Sequence, residues 1–384
     1  MTDAIRPTRI EIPDADIADL KRRLEATRWP EREAVDDWSQ GTPLGYLQAI
    51  CTTWARTYDW RASEARLNRL PQFITEIDGV DIHFVHLRSK HEQALPLVMT
   101  HGWPGSIVEF LKVIEPLVDP TAHGGRAEDA FHLVLPTLPG YGFSGKPARA
   151  GWGVERIARA WAELMQRLGY ARYVAQGGDW GASVTTWIGI QDAAHCRGIH
   201  VNMPIVAVDK ATLADLTPLE KSALEGRKHY VDWDSGYSKE QSTRPQTVGY
   251  GLVDSPAGLA GWILEKFHAW TDCDGHPENV VTRNELLDNL MFYWLPGTGA
   301  SSARLYWESF SRTPLEPVPV PTGCSLFPKE IFRASRRWVE KRYTHIVYWN
   351  ELERGGHFAA FEQPEVFVRE LRACFRHMRE HKGA

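Results

Sequence analysis

The stretch Gln176-Gly177-Gly178-Asp179-Trp180-Gly181 decides how the chain is read. Ahead of it, Tyr173-Val174-Ala175 is an apolar, strand-forming run. After it, residues from about Ala182 to Asp192 read as a helix. Glycines on both sides of Asp179 permit a tight strand-to-helix turn that thrusts residue 179 out of the sheet. Esterases carry Ser at such an elbow; here Asp stands in its place, and no Gly-x-Ser-x-Gly occurs in the chain. The competing reading is a helix-capping aspartate after a glycine turn.

Working outward, the same alternation recurs. Leu97 to Thr100, Phe131 to Leu135 and Ile199 to Val201 read as short buried strands, and Ile157, Trp161, Leu164 and Leu168 mark a helix between two of them. Such alternation predicts a parallel sheet covered on both faces. Phe73 to Leu87 is a hairpin turning at Asp78-Gly79. Ahead of it, Pro13-Asp14 opens a helix carrying Ile17, Leu20 and Leu24, and a second follows Pro43 with Leu47, Ile50, Trp54 and Tyr58 on one face. Both precede any strand and read as a wrap without its own core. From about Pro204 to Pro317 the alternation stops, and helices with aromatic faces take over. It resumes with Gly323 to Leu326, His345 to Tyr348 and a last helix from Pro364. The expected fold class is α/β, with a mostly parallel central sheet, helices on both faces, an inserted helical cap and an N-terminal helical wrap. The expected division is 1–70 for the wrap, 71–203 with 318–384 for the core, and 204–317 for the cap.

Composition narrows the function. The chain has 384 residues and a net charge of −5 with both signs mixed, so no basic stripe offers itself to nucleic acid. Five cysteines, Cys51, Cys196, Cys273, Cys324 and Cys374, lie far apart. An odd, scattered set suggests neither a disulfide framework nor a zinc site, and a reducing cytoplasm is expected. Arg6, Arg9, Glu11, Asp14 and Asp16 argue against a signal peptide or membrane anchor at the start. Sixteen tryptophans, among them Trp233, Trp262, Trp270, Trp294 and Trp307, either fill the core or line an apolar pocket.

Three further segments could serve an exposed Asp179. His101-Gly102-Trp103-Pro104-Gly105 follows a strand. Either it is a structural turn, or its backbone amides face a ligand; the amides of Trp103 and Trp180 would then form an oxyanion hole. Arg354-Gly355-Gly356-His357-Phe358 lies between the last strand and the last helix. Nucleophile, acid, then histidine is the chain order of α/β-hydrolases, which raises His357 above a merely structural histidine. Phe327-Pro328-Lys329-Glu330 follows the penultimate strand, so Glu330 could orient His357. Glu316, Glu340, Glu351 and Glu353 are its competitors.

Together HGWPGS (101–106), LPGYGFSGKP (138–147), GGDWG (177–181) and RGGHFAAFEQPE (354–365) closely resemble epoxide hydrolases of the microsomal and juvenile-hormone type. The segment EIPDADIADLKRRLEATRWPE (11–31) resembles that family's N-terminal wrap. The resemblance implies Asp179 as nucleophile, His357 as general base and Glu330 as its acid partner. It also implies two cap tyrosines: Tyr237, and Tyr306 in Ala303-Arg304-Leu305-Tyr306, with Tyr293 the alternative to the latter. The implied reaction converts an epoxide to a vicinal diol through an ester on Asp179, with water as co-substrate and no metal or cofactor. Microsomal members carry an N-terminal anchor; this chain starts with the wrap, so a soluble, cytoplasmic enzyme is expected. Its aromatic-rich cap suggests a bulky apolar or aromatic epoxide, met in detoxification or secondary metabolism. The oligomeric state stays open. The rival readings are a haloalkane dehalogenase-like hydrolase and a non-catalytic binding protein on the same fold.

Overall fold

The structure is a computed structural model that describes residues 4–310 and 312–380. The outermost ends of the wrap and core segments, 1–3 and 381–384, and residue 311 of segment 204–317 lie outside the described residues.

Nine strands among the described residues form one sheet. They are β1 (Arg6–Thr8), β2 (Gln72–Ile77), β3 (Val80–Leu87), β4 (Leu95–Thr100), β5 (Phe131–Pro136), β6 (Tyr173–Gly177), β7 (Cys196–Val201), β8 (Thr322–Leu326) and β9 (Ile346–Glu351). The order is β1-β2-β3-β5-β4-β6-β7-β8-β9. β1, β2, β3 and β5 pair antiparallel; from β5 to β9 the pairing is parallel. The central strands are buried almost throughout, as a parallel sheet covered by helices requires. The chain thus adopts the α/β-hydrolase fold.

One expectation is corrected. A strand does precede the wrap helices: Arg6-Pro7-Thr8 pairs antiparallel with β2. Three residues on an exposed edge need no apolar alternation, so they carried no strand signal. The expected wrap helices span Asp14–Glu25 and Leu44–Arg56. A third, Trp60–Leu67, follows; the Asp59 side chain caps it by accepting from the amides of Arg61 and Ala62. Tyr58 lies between the second and third helices, and its hydroxyl donates to Asp288 Oδ1 at 2.7 Å. The wrap also meets the 204–317 segment through Trp38, stacked on His268 at 4.1 Å between ring centres. Its buried side chains join the main core and form none of their own.

Between β7 and β8 the described residues are mostly helical. The longest helices there are Pro218–His229, Pro256–Trp270, Arg283–Trp294 and Gly299–Ser309. All five cysteines are buried and unpaired. Among the described residues no helix is long and apolar enough to cross a membrane.

Register sets up the site. Thr100 at the end of β4 lies opposite Gly177 at the end of β6, and Gly177 lies opposite Val201 at the end of β7. The loops that follow these strands therefore open side by side at the carboxyl edge of the sheet, where ligands of open α/β sheets bind. Close contact of these loops requires glycine. A Cβ on Gly181 would collide with the carbonyl oxygen of Thr100, and one on Gly177 with the carbonyl oxygen of Gly181. Gly181→Ala is expected to cost about 1–3 kcal/mol by overpacking, read as a lower melting temperature. An alanine variant as stable as the parent would show that the two loops do not meet so closely.

Candidate active site

The turn after β6 begins its helix at Asp179 itself, three residues earlier than the sequence pattern suggests; the helix is Asp179–Gln191. Asp179 has φ +49°, in the left-handed region. A non-glycine residue held there is strained, and such strain collects at functional positions. The result is a carboxylate lifted off the strand end. The backbone N–H of Trp103 donates to Asp179 Oδ1 at 2.8 Å. Trp180 follows directly, in a first helical turn whose amides have no intrahelical acceptor.

His357 arrives from the loop after β9. Its Nε2 lies 3.2 Å from Asp179 Oδ2. Its Nδ1 lies 2.6 Å from Glu330 Oε1. That oxygen also accepts from the amide of Ile331 at 2.8 Å. Glu316, Glu340, Glu351 and Glu353 have no such contact with the imidazole, so the geometry separates Glu330 from its competitors. The reason is a β-bridge. Lys329 pairs with Gly356 in parallel, and its amide donates to Gly355 O at 3.1 Å. Pairing of β8 with β9 thus continues into the loops, and Glu330 and His357 each stand one residue beyond the bridged pair. Trp270 holds the other side: its carbonyl accepts from the His357 amide at 2.9 Å, and its ring meets the imidazole edge-on at 5.0 Å. Burial opposes the imidazolium, but the carboxylates of Glu330 and Asp179 outweigh it and hold the imidazole pKa well above its ordinary value.

Four aromatic residues expected at the site converge. Tyr237 stacks on Trp103 with centres 4.9 Å apart and planes 6° from parallel. Tyr306 meets Trp103 edge-on at 5.7 Å and Trp180 at 4.8 Å. The two tyrosine rings are 5.6 Å apart. Burial pushes both phenols well above their ordinary pKa, with the charge on Asp179 adding to the effect. Tyr293 is buried elsewhere, with its hydroxyl donating to Gly105 O at 2.7 Å. It is committed to holding the 101–106 loop, which leaves Tyr306 beside Tyr237.

Several residues at the site escaped the sequence reading. The hydroxyl of Tyr230 lies 3.0 Å from that of Tyr237. Glu109 borders a cavity of about 20 Å³ that also touches Asp179, His357, Gln176 and Asn202. Burial pushes its carboxyl up to about 8. The Gln176 side-chain oxygen is buried without a partner. A polar cavity of this size has room for one water. The available signal was a single acid in the apolar run Ile107-Val108-Glu109-Phe110. A second, open cleft of about 1780 Å³ runs between wrap residues 27–42 and the 204–317 helices. Trp38, Trp233, Trp262, Tyr230, Tyr237 and Trp270 line it.

Known proteins resemble this chain along most of its length. The family described as "Epoxide hydrolase N terminus" matches residues 5–110, and "alpha/beta hydrolase fold" matches 96–251. A protein of Stigmatella aurantiaca, provisionally named an epoxide hydrolase, is 57% identical over 98% of this chain and 86% of its own length. Epoxide hydrolase 1 of Sus scrofa is 37% identical over 96% of this chain and 88% of its own length. The crystal structure of juvenile hormone epoxide hydrolase from Bombyx mori superposes with a TM-score of 0.92 at 32% identity, covering 100% of this chain and 96% of that one. Likeness of this extent, along the whole chain and in both sequence and fold, means that the chain belongs to the epoxide hydrolases of the α/β-hydrolase fold.

Proposed function

We propose that the enzyme opens its epoxide by attack of Asp179 and then hydrolyses the resulting ester with a water activated by His357. The observation that carries this reading is the chain of contacts Trp103 N–H, Asp179, His357, Glu330, at 2.8, 3.2 and 2.6 Å.

An epoxide is strained but a poor electrophile in water. A carboxylate held in line with a ring carbon removes the entropic part of the barrier, on the order of 7–11 kcal/mol at most. Asp179 Oδ2 forms the bond to carbon as the ring C–O bond breaks. Its partner oxygen Oδ1 stays on the Trp103 amide. The departing oxygen takes a proton from Tyr237 or Tyr306; a phenol stays protonated at neutral pH where a free carboxylic acid does not. The helical segment 204–317 acts as a cap that carries these two phenols.

Ester formation removes the charge on Asp179. One of the two anions holding the imidazolium is then gone, so His357 yields its proton more readily. In charge terms this proton replaces the one the phenol gave up. Neutral His357, held by Glu330, draws a proton from water. That water attacks the ester carbonyl, and the amides of Trp103 and Trp180 hold the oxyanion. The 20 Å³ cavity beside Asp179 and His357 suits this water. Collapse of the tetrahedral intermediate breaks the bond from the carboxyl carbon to the substrate-bound oxygen; that oxygen takes the second proton of the attacking water and leaves as part of a vicinal diol, and Asp179 is again a carboxylate. Aromatic residues along the large cleft favour bulky apolar or aromatic epoxides.

Asp179→Asn is expected to lower turnover by about 10⁴-fold or more, measured on protein checked for deamidation. Full activity in that variant removes the nucleophile. His357→Gln should still take up epoxide but stall, so mass spectrometry should find the adduct on Asp179; a variant that never gains mass argues against the ester. With Tyr237→Phe and Tyr306→Phe combined, ring opening should slow by about a hundredfold or more. An unchanged opening rate would place the acids elsewhere.

A further inference from the structure

We propose that Lys266 is a positioning residue for ring opening: it sets a buried positive charge against the face of the Tyr237 ring. The proposal rests on Tyr237 being a proton donor, as inferred above.

Lys266 lies on the helix Pro256–Trp270 and is 5% exposed. Lysine is rarely buried so deeply unless it is paired. Here its ammonium meets Asp234 Oδ1 at 2.5 Å and Glu265 at 2.5 Å. Those carboxylates offset its desolvation. They do not account for where the charge points: Nζ stands 4.7 Å from the centre of the Tyr237 ring and 5.5 Å from that of Trp270. Asp234 is itself shared, since its Oδ2 accepts from the Trp270 indole at 2.6 Å. Burial pushes the Glu265 carboxyl up, and the Lys266 ammonium beside it pulls it back down. With its ammonium engaged by both carboxylates, Lys266 acts on the reaction through Tyr237.

When Tyr237 gives its proton to the opening epoxide, negative charge grows on a phenol enclosed by protein. Little water reaches it. A cation against the ring face is attracted to neutral Tyr237 and more strongly to the phenolate. The attraction therefore increases toward the transition state and lowers the barrier of that step. Ester hydrolysis takes no proton from Tyr237, so Lys266 affects the first step and not the second.

The test is single-turnover mixing of the full chain with styrene oxide, following the Asp179 adduct by quench-flow mass spectrometry. Two neutral variants are compared with the parent: Lys266→Met, and Lys266→Gln, which keeps a donor for Asp234. If either one folds, the test can be read. Ring opening is expected to slow about tenfold to thirtyfold, while ester hydrolysis stays within about twofold. Lys266→Arg, which keeps the charge, should recover most of the opening rate. In a Tyr237→Phe background, Lys266→Met should add no further loss, because no phenolate forms. Equal slowing of both steps, no recovery with arginine, or a loss that persists without the Tyr237 hydroxyl overturns the proposal. A normal opening rate in Tyr237→Phe alone overturns Tyr237 as the donor, and with it the role of Lys266, and leaves Tyr306. Slow Tyr237→Phe with fast Lys266→Met overturns only the role of Lys266.

Discussion

One imidazole held between a buried carboxylate and a largely enclosed one organises this molecule. His357 touches Asp179 on one side and Glu330 on the other, and all three side chains are largely withdrawn from solvent. Three buried ionisable groups would be costly apart; together each answers the desolvation of its neighbour. The arrangement needs three separate chain segments to meet within hydrogen-bond reach. Much of the fold can be read as the means of bringing them there. Parallel strands end level with one another, so the loops after β4, β6, β8 and β9 open at one edge. The bridge from Lys329 to Gly356 then sets Glu330 against His357 with little freedom left.

The same chain of charges links the two proposed chemical steps. While Asp179 is ionised, the imidazole is held in its charged form. Once the carboxylate becomes an ester, that hold weakens and the imidazole can act as a base. In the proposed mechanism no conformational change is needed to change the role of His357; the covalent step alters its field. Asp179 keeps its place through both steps because the Trp103 amide holds one of its oxygens.

Above this edge the helical segment supplies an environment of a different kind. Tyr237, Tyr306, Trp103 and Trp180 pack ring against ring, which excludes water from one side of Asp179. Asp234 and Lys266 sit behind Tyr237, and Asp234 also binds Trp270, whose carbonyl holds the His357 amide. The phenol and the imidazole are thereby tied into one network across two parts of the chain. The wrap meets the same helices through Tyr58 and Trp38, so the segment is braced from both sides.

Much of this was legible in the residues. Strand-helix alternation, the glycines around Asp179, and the order of Asp179, Glu330 and His357 are local patterns, because a turn or a buried strand leaves its mark within a few residues. Even Tyr237 and Tyr306 came from short motifs, through likeness to a known family. The strand Arg6–Thr8 left no mark, since an exposed edge takes almost any residue. Neither Glu109, nor Tyr230, nor the pair Asp234 and Lys266 could be picked from the sequence as part of the site. Their meaning lies in partners far along the chain, or in a cavity that exists only once the chain has closed around it. The sequence by itself determined the fold class, the aspartate at the strand-to-helix turn and its candidate histidine, because these follow from backbone preference, hydrophobic period and chain order. Only the tertiary structure decided which glutamate meets that histidine, which tyrosines gather around Trp103 beside Asp179 and which buried cation faces Tyr237. Distance, burial and local charge are properties of the packed molecule, and no single segment holds them.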